Sequence, residues 1–307
     1  MRAGRAPLRP PPLRPGDRIG ITAPAGPVRE EALRRGMEYL RARGYVPVPG
    51  QNLMARHGYL AGDDARRLAD LNRLLADESV RAVWSARGGY GSARIVEQVD
   101  LGPLRRRPKV LIGYSDVTVL HAAAYRRLRL PTFYGPNVSD LGDPASFDEP
   151  SLWHALEGTD TTFEPPLSTA TVMRAGTAGG VLLGGCLSLL VSLIGTPFQV
   201  PTDGAILFWE EVGEEPYRID RMLGQLRQAG CLARIRGMIV GQTAGCRAKD
   251  PMNDLPLEEI LERHLRGRRV PVVLGVPAGH GAGKITLPLG RRVRLETLEG
   301  RPRISGR

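Results

Sequence analysis

The strongest constraint on this chain is a rhythm: between Ile19 and Tyr134, short apolar runs alternate with stretches whose apolar residues recur at helical spacing. Ile19-Gly20-Ile21-Thr22 has the pattern of a buried strand and runs into Ala23-Pro24-Ala25-Gly26. The segment after it sets Leu33, Met37 and Leu40 on one helical face. Strand patterns recur at 45–48, 80–86, 109–112 and 132–134, with helical patterns at 63–76, 92–99 and 117–127. Such alternation predicts a parallel sheet covered by helices, because parallel neighbours need a long crossover connection. The rhythm lapses between Asn137 and Gly176, a Pro-, Thr- and Asp-rich stretch with little periodicity, and resumes at Gly179. There the patterns are an apolar helix at 187–194, strands at 205–209, 238–240 and 270–274, a helix at 217–229 and a β-like end at 293–298. The expected architecture is α/β. It comprises a disordered arm at residues 1–15, an N-terminal parallel-sheet domain at 16–137, a linker at 138–178 and a smaller C-terminal α/β domain at 179–307.

Composition narrows the function classes. A hydrophobic fraction of 42% in 307 residues suits a globular protein with a sizeable core. No apolar run approaches the ~20 residues that span a bilayer, so no membrane partner is expected. The basic, proline-rich start MRAGRAPLRPPPLRPGDR lacks the apolar region of a secretory signal, which makes cytoplasmic residence the expectation. Cys186, Cys231 and Cys246 stand far apart, and neither they nor the five histidines have metal-site spacing. Neither a metal nor a cofactor is expected. The net charge of +11 raises the question of nucleic acid. Yet the arginines are spread along the chain, the densest run is only Arg105-Arg106-Arg107, and no aromatic residues interleave with it to stack on bases. No nucleic-acid partner is expected.

Four places carry chemistry. The first is Gly113-Tyr114-Ser115-Asp116, a turn between a strand and a helix, where open α/β sheets place their sites. Ser115 there reads as a nucleophile, with the Asp116 amide able to face an oxyanion; Val117 replaces the second glycine of a Gly-x-Ser-x-Gly elbow. A simple helix cap is the alternative. The second is Arg87-Gly88-Gly89-Tyr90-Gly91, also after a strand, which lacks both the dinucleotide and the phosphate-loop spacings. Gly88 and Gly89 can bring backbone close to a ligand and supply a second oxyanion donor; a tight turn into the next helix is the plain alternative. The third is Phe208-Trp209-Glu210-Glu211, a strand ending in two carboxylates, either of which could orient a histidine or merely be solvated. The fourth is Pro277-Ala278-Gly279-His280-Gly281-Ala282-Gly283-Lys284, whose histidine among glycines has room to move protons. An incidental histidine in a flexible loop is the alternative. Together these groups supply a nucleophile, oxyanion donors, an orienting acid and a base.

In order and context these stretches resemble the LD-carboxypeptidase family of serine peptidases, which also includes the microcin C self-immunity peptidases. The likeness rests on Tyr59-Leu60-Ala61-Gly62 with Arg66 and Leu71-Asn72, Arg87-Gly88-Gly89-Tyr90-Gly91, and Gly113-Tyr114-Ser115-Asp116. It continues through Gly184-Gly185-Cys186-Leu187-Ser188, Leu207-Phe208-Trp209-Glu210-Glu211, Ile219-Asp220-Arg221 and Gly275-Val276-Pro277-Ala278-Gly279-His280, so that it spans nearly the whole chain. The resemblance implies a triad at Ser115, Glu210 and His280, with Glu210 rather than Glu211 as the acid. It also implies an oxyanion hole from the Gly88 and Asp116 amides, an active site between the two domains, and a homodimer. The substrate it implies is murein tetrapeptide, cleaved at the L,D-amide to release D-alanine in peptidoglycan recycling. A peptidase of aminoacyl-nucleotide antibiotics is the rival within the family; a non-catalytic ligand-binding module is the rival outside it. Two departures stand out: Cys186 where the family usually has Asn, which bears on hydrogen bonding at the domain junction, and Gly241-Gln242-Thr243 in place of an acidic and aromatic pair.

Overall fold

A computed structural model describes residues 8–158, 165–167, 169–250, 252, 254–298 and 300–306, arranged as two α/β domains. In the first, β1 (Arg18–Thr22), α1 (Glu30–Ala42), β2 (Val46–Pro49), α2 (Asp64–Ala76) and β3 (Val80–Ser85) lead to two short turns of helix, α3 (Ser92–Ile95) and α4 (Pro103–Arg106). They are followed by β4 (Val110–Gly113), α5 (Thr118–Leu128) and β5 (Thr132–Tyr134). The strands pair in parallel in the order β2-β1-β3-β4-β5. Central β1 is buried from Ile19 to Thr22, as a strand covered on both faces must be. The winding reverses between β1 and β3, and such switch points leave a crevice beyond the carboxyl ends of the strands. The turns after β1 and β3 meet there, joined by Gly26 N–H donating to the Gly88 carbonyl at 3.0 Å.

The second domain contains β6 (Thr171–Arg174), β7 (Thr177–Cys186), α7 (Leu187–Ser192), β8 (Ala205–Val212), α8 (Pro216–Gln228), β9 (Gly237–Ala244), α9 (Leu257–His264) and β10 (Val272–Leu274). After β11 (Leu287–Leu289) it ends in β12 (Arg292–Leu298) and β13 (Arg301–Gly306). Its seven-stranded sheet runs β13-β12-β7-β8-β9-β10-β6, with β7 to β10 parallel and the outer strands antiparallel.

The structure adds three details to the expected layout. The stretch 138–178 is not a featureless linker: it holds α6 (Glu149–Glu157) as well as β6. Asp148 caps α6 by accepting from Ser151 N–H at 2.7 Å, and Pro150 presets its first turn. Leu152, Trp153 and Leu156 are buried with Ile19, Leu40 and Trp84 in one core, and Trp153 Nε1–H donates to the Tyr39 hydroxyl at 2.7 Å. A nine-residue helix has a single apolar stripe, too short to establish a period. The expected disordered arm lies outside the described residues up to position 7, but Leu13 is buried at 1% exposure and its N–H donates to the Leu156 carbonyl at 2.8 Å. α6 therefore docks the chain's start onto the first domain. Finally, the first sheet is mostly parallel, as expected, and takes one antiparallel edge strand from the later half of the chain. β11 returns to the first sheet and pairs antiparallel with β5, Leu287 opposite Tyr134. The segment between β10 and β11 must therefore cross from one sheet to the other, and His280 lies on it.

Candidate active site

β4 ends at Gly113, and the chain bends through Tyr114 and Ser115 into α5. Ser115 has φ of 67°, a left-handed conformation that costs a residue with a side chain roughly 1 kcal/mol or more. Several contacts hold the strained turn. Ser115 N–H donates to the Tyr134 hydroxyl at 3.1 Å. His121 Nε2–H donates to the Gly113 carbonyl at 2.9 Å. The buried Asp116 carboxylate accepts from Ser92 N–H at 2.7 Å, tying the turn to α3. Burial raises the Asp116 pKa and those hydrogen bonds oppose it. Its side chain is committed to α3.

Gly88 sits against the serine. A methyl group on its α-carbon would lie 2.7 Å from the Ser115 β-carbon and 2.9 Å from Oγ, so only glycine permits this approach. Gly89, grouped with it in the sequence reading, backs onto Gly26 instead. The loop is braced from below by the fully buried Arg67 side chain, which donates to the Gly91 carbonyl at 2.9 Å and to the Pro24 carbonyl.

At the end of β8 the two carboxylates part company. Glu210 is fully buried and faces the first domain: Oε1 accepts from the Tyr134 hydroxyl at 2.6 Å and Oε2 from His280 Nδ1–H at 2.7 Å. Glu211, equally enclosed, accepts from Ser188 N–H at 2.7 Å at the start of α7 and from Val212 N–H at 2.9 Å. It is a helix-end partner, on the other side of the strand. With Nδ1 donating to a carboxylate, neutral His280 presents a lone pair on Nε2, 2.9 Å from Ser115 Oγ. Ser115, Glu210 and His280 thus form one hydrogen-bonded chain across the domain boundary.

The His280 loop is held from several directions. Gly279 has φ of 128°, and any side chain there would run into the Glu210 carboxylate. Gln242 clamps the far side, accepting from Gly281 N–H at 2.8 Å and donating to the Ala282 carbonyl at 2.8 Å. The departure from the family pattern at Gln242 is therefore a loop clamp. On the near side, buried Lys284 donates to the Ser146 carbonyl at 2.7 Å, lies 3.9 Å from Asp140 and stands over the Tyr114 ring. Burial lowers the Lys284 pKa, with Asp140 opposing that shift. The Tyr114 ring in turn meets the His280 ring edge-on at 5.0 Å. At the other departure, Cys186 N–H donates to Thr118 Oγ1 at 3.0 Å, a backbone bond across the domain junction that any residue type can make.

The serine, acid and histidine are marked in the sequence; Tyr134 and Asp140 are not, and Lys284 stands at the end of the histidine stretch with no role assigned to it. Tyr134 was legible only as the end of a three-residue strand. An aromatic hydroxyl at the carboxyl end of a central strand was the available signal. Among the described residues, no group of three or more His, Cys, Asp or Glu side chains is gathered to hold a metal, and no helix is long and apolar enough to cross a membrane.

Comparison with known proteins places the same residues in context. The LD-carboxypeptidase N-terminal domain family matches residues 19–135 and the LD-carboxypeptidase C-terminal domain family matches residues 179–295. A probable murein peptide carboxypeptidase of Bacillus subtilis is 38% identical, over 95% of this chain and 92% of its own. The crystal structure of muramoyltetrapeptide carboxypeptidase from Oxalobacter formigenes superposes with a TM-score of 0.83 at 30% identity, covering 94% of this chain and 99% of that one. The microcin C7 self-immunity protein superposes with a TM-score of 0.90 over 98% of each chain. At 24% identity that likeness speaks for the fold alone.

Proposed function

The chain belongs to the LD-carboxypeptidase family of peptidases, and from that premise we propose that it is a serine carboxypeptidase acting on murein tetrapeptide. The bond cleaved is the L,D-amide that holds the terminal D-alanine. The observation that carries this reading is the line of contacts from Ser115 Oγ to His280 Nε2 at 2.9 Å and from His280 Nδ1 to Glu210 at 2.7 Å. His280 takes the Ser115 proton as Oγ attacks the amide carbonyl carbon. Glu210, desolvated and fixed, favours the imidazolium that forms. The Gly88 and Asp116 amides stabilise the oxyanion. Collapse of the tetrahedral intermediate breaks the C–N bond as His280 protonates the departing D-alanine amine. Water, deprotonated by the same histidine, then hydrolyses the acyl-serine and restores the enzyme. A cytoplasmic workplace and a homodimer belong to the same proposal, as does a basic side chain for the free carboxylate of the substrate.

Aminoacyl-nucleotide hydrolysis is the second reading, because a protein of the same fold, the microcin C7 self-immunity protein, has been solved in complex with aspartyl sulfamoyl adenosine. One experiment separates them: purified protein is incubated with murein tetrapeptide and, separately, with an aminoacyl-sulfamoyl adenylate. D-alanine release alone is expected; turnover of the adenylate alone reverses the order. Ser115→Ala should lower kcat on D-alanine release by about 10⁴-fold or more. Undiminished activity in that variant would sink the serine mechanism.

A further inference from the structure

Four hydrogen bonds around the site close into a ring. Ser115 Oγ–H donates to His280 Nε2 at 2.9 Å, and His280 Nδ1–H to Glu210 Oε2 at 2.7 Å. The Tyr134 hydroxyl donates to Glu210 Oε1 at 2.6 Å, and Ser115 N–H donates to the same hydroxyl at 3.1 Å. We propose that Tyr134 is a positioning residue of this site: its hydroxyl holds the nucleophile's backbone and sets the proton affinity of the Glu210–His280 pair. This rests on the triad reading above and adds to it a residue that never touches substrate.

The geometry leaves the hydroxyl one arrangement. Its oxygen accepts from Ser115 N–H, so its single proton is free for Glu210. Burial and the adjacent carboxylate push the phenol's pKa well up, so it remains a donor. The ring is fully buried and cannot swing away. Phe208 meets it edge-on at 5.2 Å, Tyr114 at 6.3 Å, and β11 pairs with its backbone. A carboxylate with no exposed surface needs donors on both oxygens, and Tyr134 supplies the one on Oε1. The strained φ of Ser115 needs an anchor on its amide, and the same oxygen provides it.

The direction of the proton-affinity effect follows from charge. With His280 neutral the pair carries one negative charge, and with one more proton it carries none. The Tyr134 donor stabilises the anionic state at least as much as the neutral one, wherever that extra proton resides. Removing the donor therefore raises the pair's apparent pKa, and a stronger donor lowers it. The other titratable groups around the pair are Tyr114 facing His280, Asp140 and Lys284 behind it, Cys186 beside Glu210, and His121 against the Tyr134 ring. All of them stay in place in the variants below.

The test measures D-alanine release from murein tetrapeptide against pH for the wild type, Tyr134→Phe, and protein carrying 3-fluorotyrosine at position 134. Substrate titration is common to all three, so differences between profiles belong to the enzyme. Tyr134→Phe should lower kcat by about 10- to 100-fold with KM within about 3-fold, and move the acid limb of kcat/KM up by about one pH unit. The fluorinated phenol is a stronger donor of nearly unchanged size, and should move the acid limb down. A wild-type limb in either variant, or a shift in the opposite direction, overturns the proposal. So does a Tyr134→Phe protein that loses only thermal stability. If Tyr134→Phe does not fold or has no measurable activity, the fluorotyrosine profile alone decides. Ser115→Ala keeps the two claims apart. Should it stay active, the triad reading itself fails; should it be inactive while both Tyr134 proteins keep the wild-type profile, only the Tyr134 proposal fails.

Discussion

The two halves of the site are built by different means. The nucleophile side is local: β3, β4 and the turns that follow them place Gly88, Ser115 and Asp116 on adjacent strand ends at the carboxyl edge of the sheet. The acid–base side has no such unit. Glu210 lies near the end of β8 in the other sheet, and His280 rides a loop that crosses between the sheets. It is clamped by Gln242 from its own domain and by the 140–148 segment through Lys284 and backbone bonds such as Asp148 N–H to the Lys284 carbonyl at 3.0 Å. Activity should thus depend above all on how the domains meet.

After loss of the serine itself, the most damaging break is expected on the acid–base side. Glu210→Gln keeps the volume but removes the charge that stabilises the imidazolium and sets the tautomer of His280. D-alanine release should fall by about 10³- to 10⁴-fold, read as kcat. A loss under tenfold would show that Glu210 is only a packing residue. Next is Trp153→Ala, which asks whether the segment between the domains belongs to the nucleophile side. Its burial against Trp84 and Tyr39 predicts a loss of roughly 3–5 kcal/mol in urea denaturation, where a mere linker would lose almost nothing.

His121 sharpens the comparison through pH. Full burial lowers its pKa to about 4 from an ordinary 6.5, so the folded protein holds it neutral beneath the Ser115 turn. The unfolded chain takes up that proton first. The associated stability is present above about pH 6.5 and drains away as pH falls toward 4, by on the order of 3 kcal/mol. The urea midpoint should fall further between pH 7 and pH 4.5 in the wild type than in His121→Asn; identical pH slopes would refute the assignment. The smallest effect is reserved for the nucleophile side. Gly88→Ala has no unfavourable φ to adopt, only the 2.7 Å encounter with Ser115. Displacing the serine by a fraction of an ångström should cost about 10²-fold in kcat, and a wild-type rate would place Gly88 outside the reacting geometry.

Much of this molecule can be read from residues near one another in the chain. The alternation of β1 to β5 with their helices sets short continuous apolar runs against a 3.6-fold period, and that contrast survives in any window long enough to hold both. The strand-to-helix turns at Gly88 and Ser115 follow from the same rhythm, because each glycine-bearing turn comes directly after an apolar run. Short elements escape. β11 has three residues, and α6 has nine, with the Asp148-Glu149-Pro150 start as its one clear mark.

The choice between Glu210 and Glu211 shows where local reading stops. Both are buried carboxylates at one strand end, and composition and spacing treat them alike. What separates them is which face meets the other sheet, and that depends on contacts to Tyr134 and His280, distant in the chain. Chain pattern decides local backbone geometry, because sterics and burial periodicity act over a few residues. The acid, the clamp at Gln242 and the Tyr134 bridge are decided by how two independently patterned sheets are brought face to face. A three-residue strand returning from one to the other does that joining, and no local period records it.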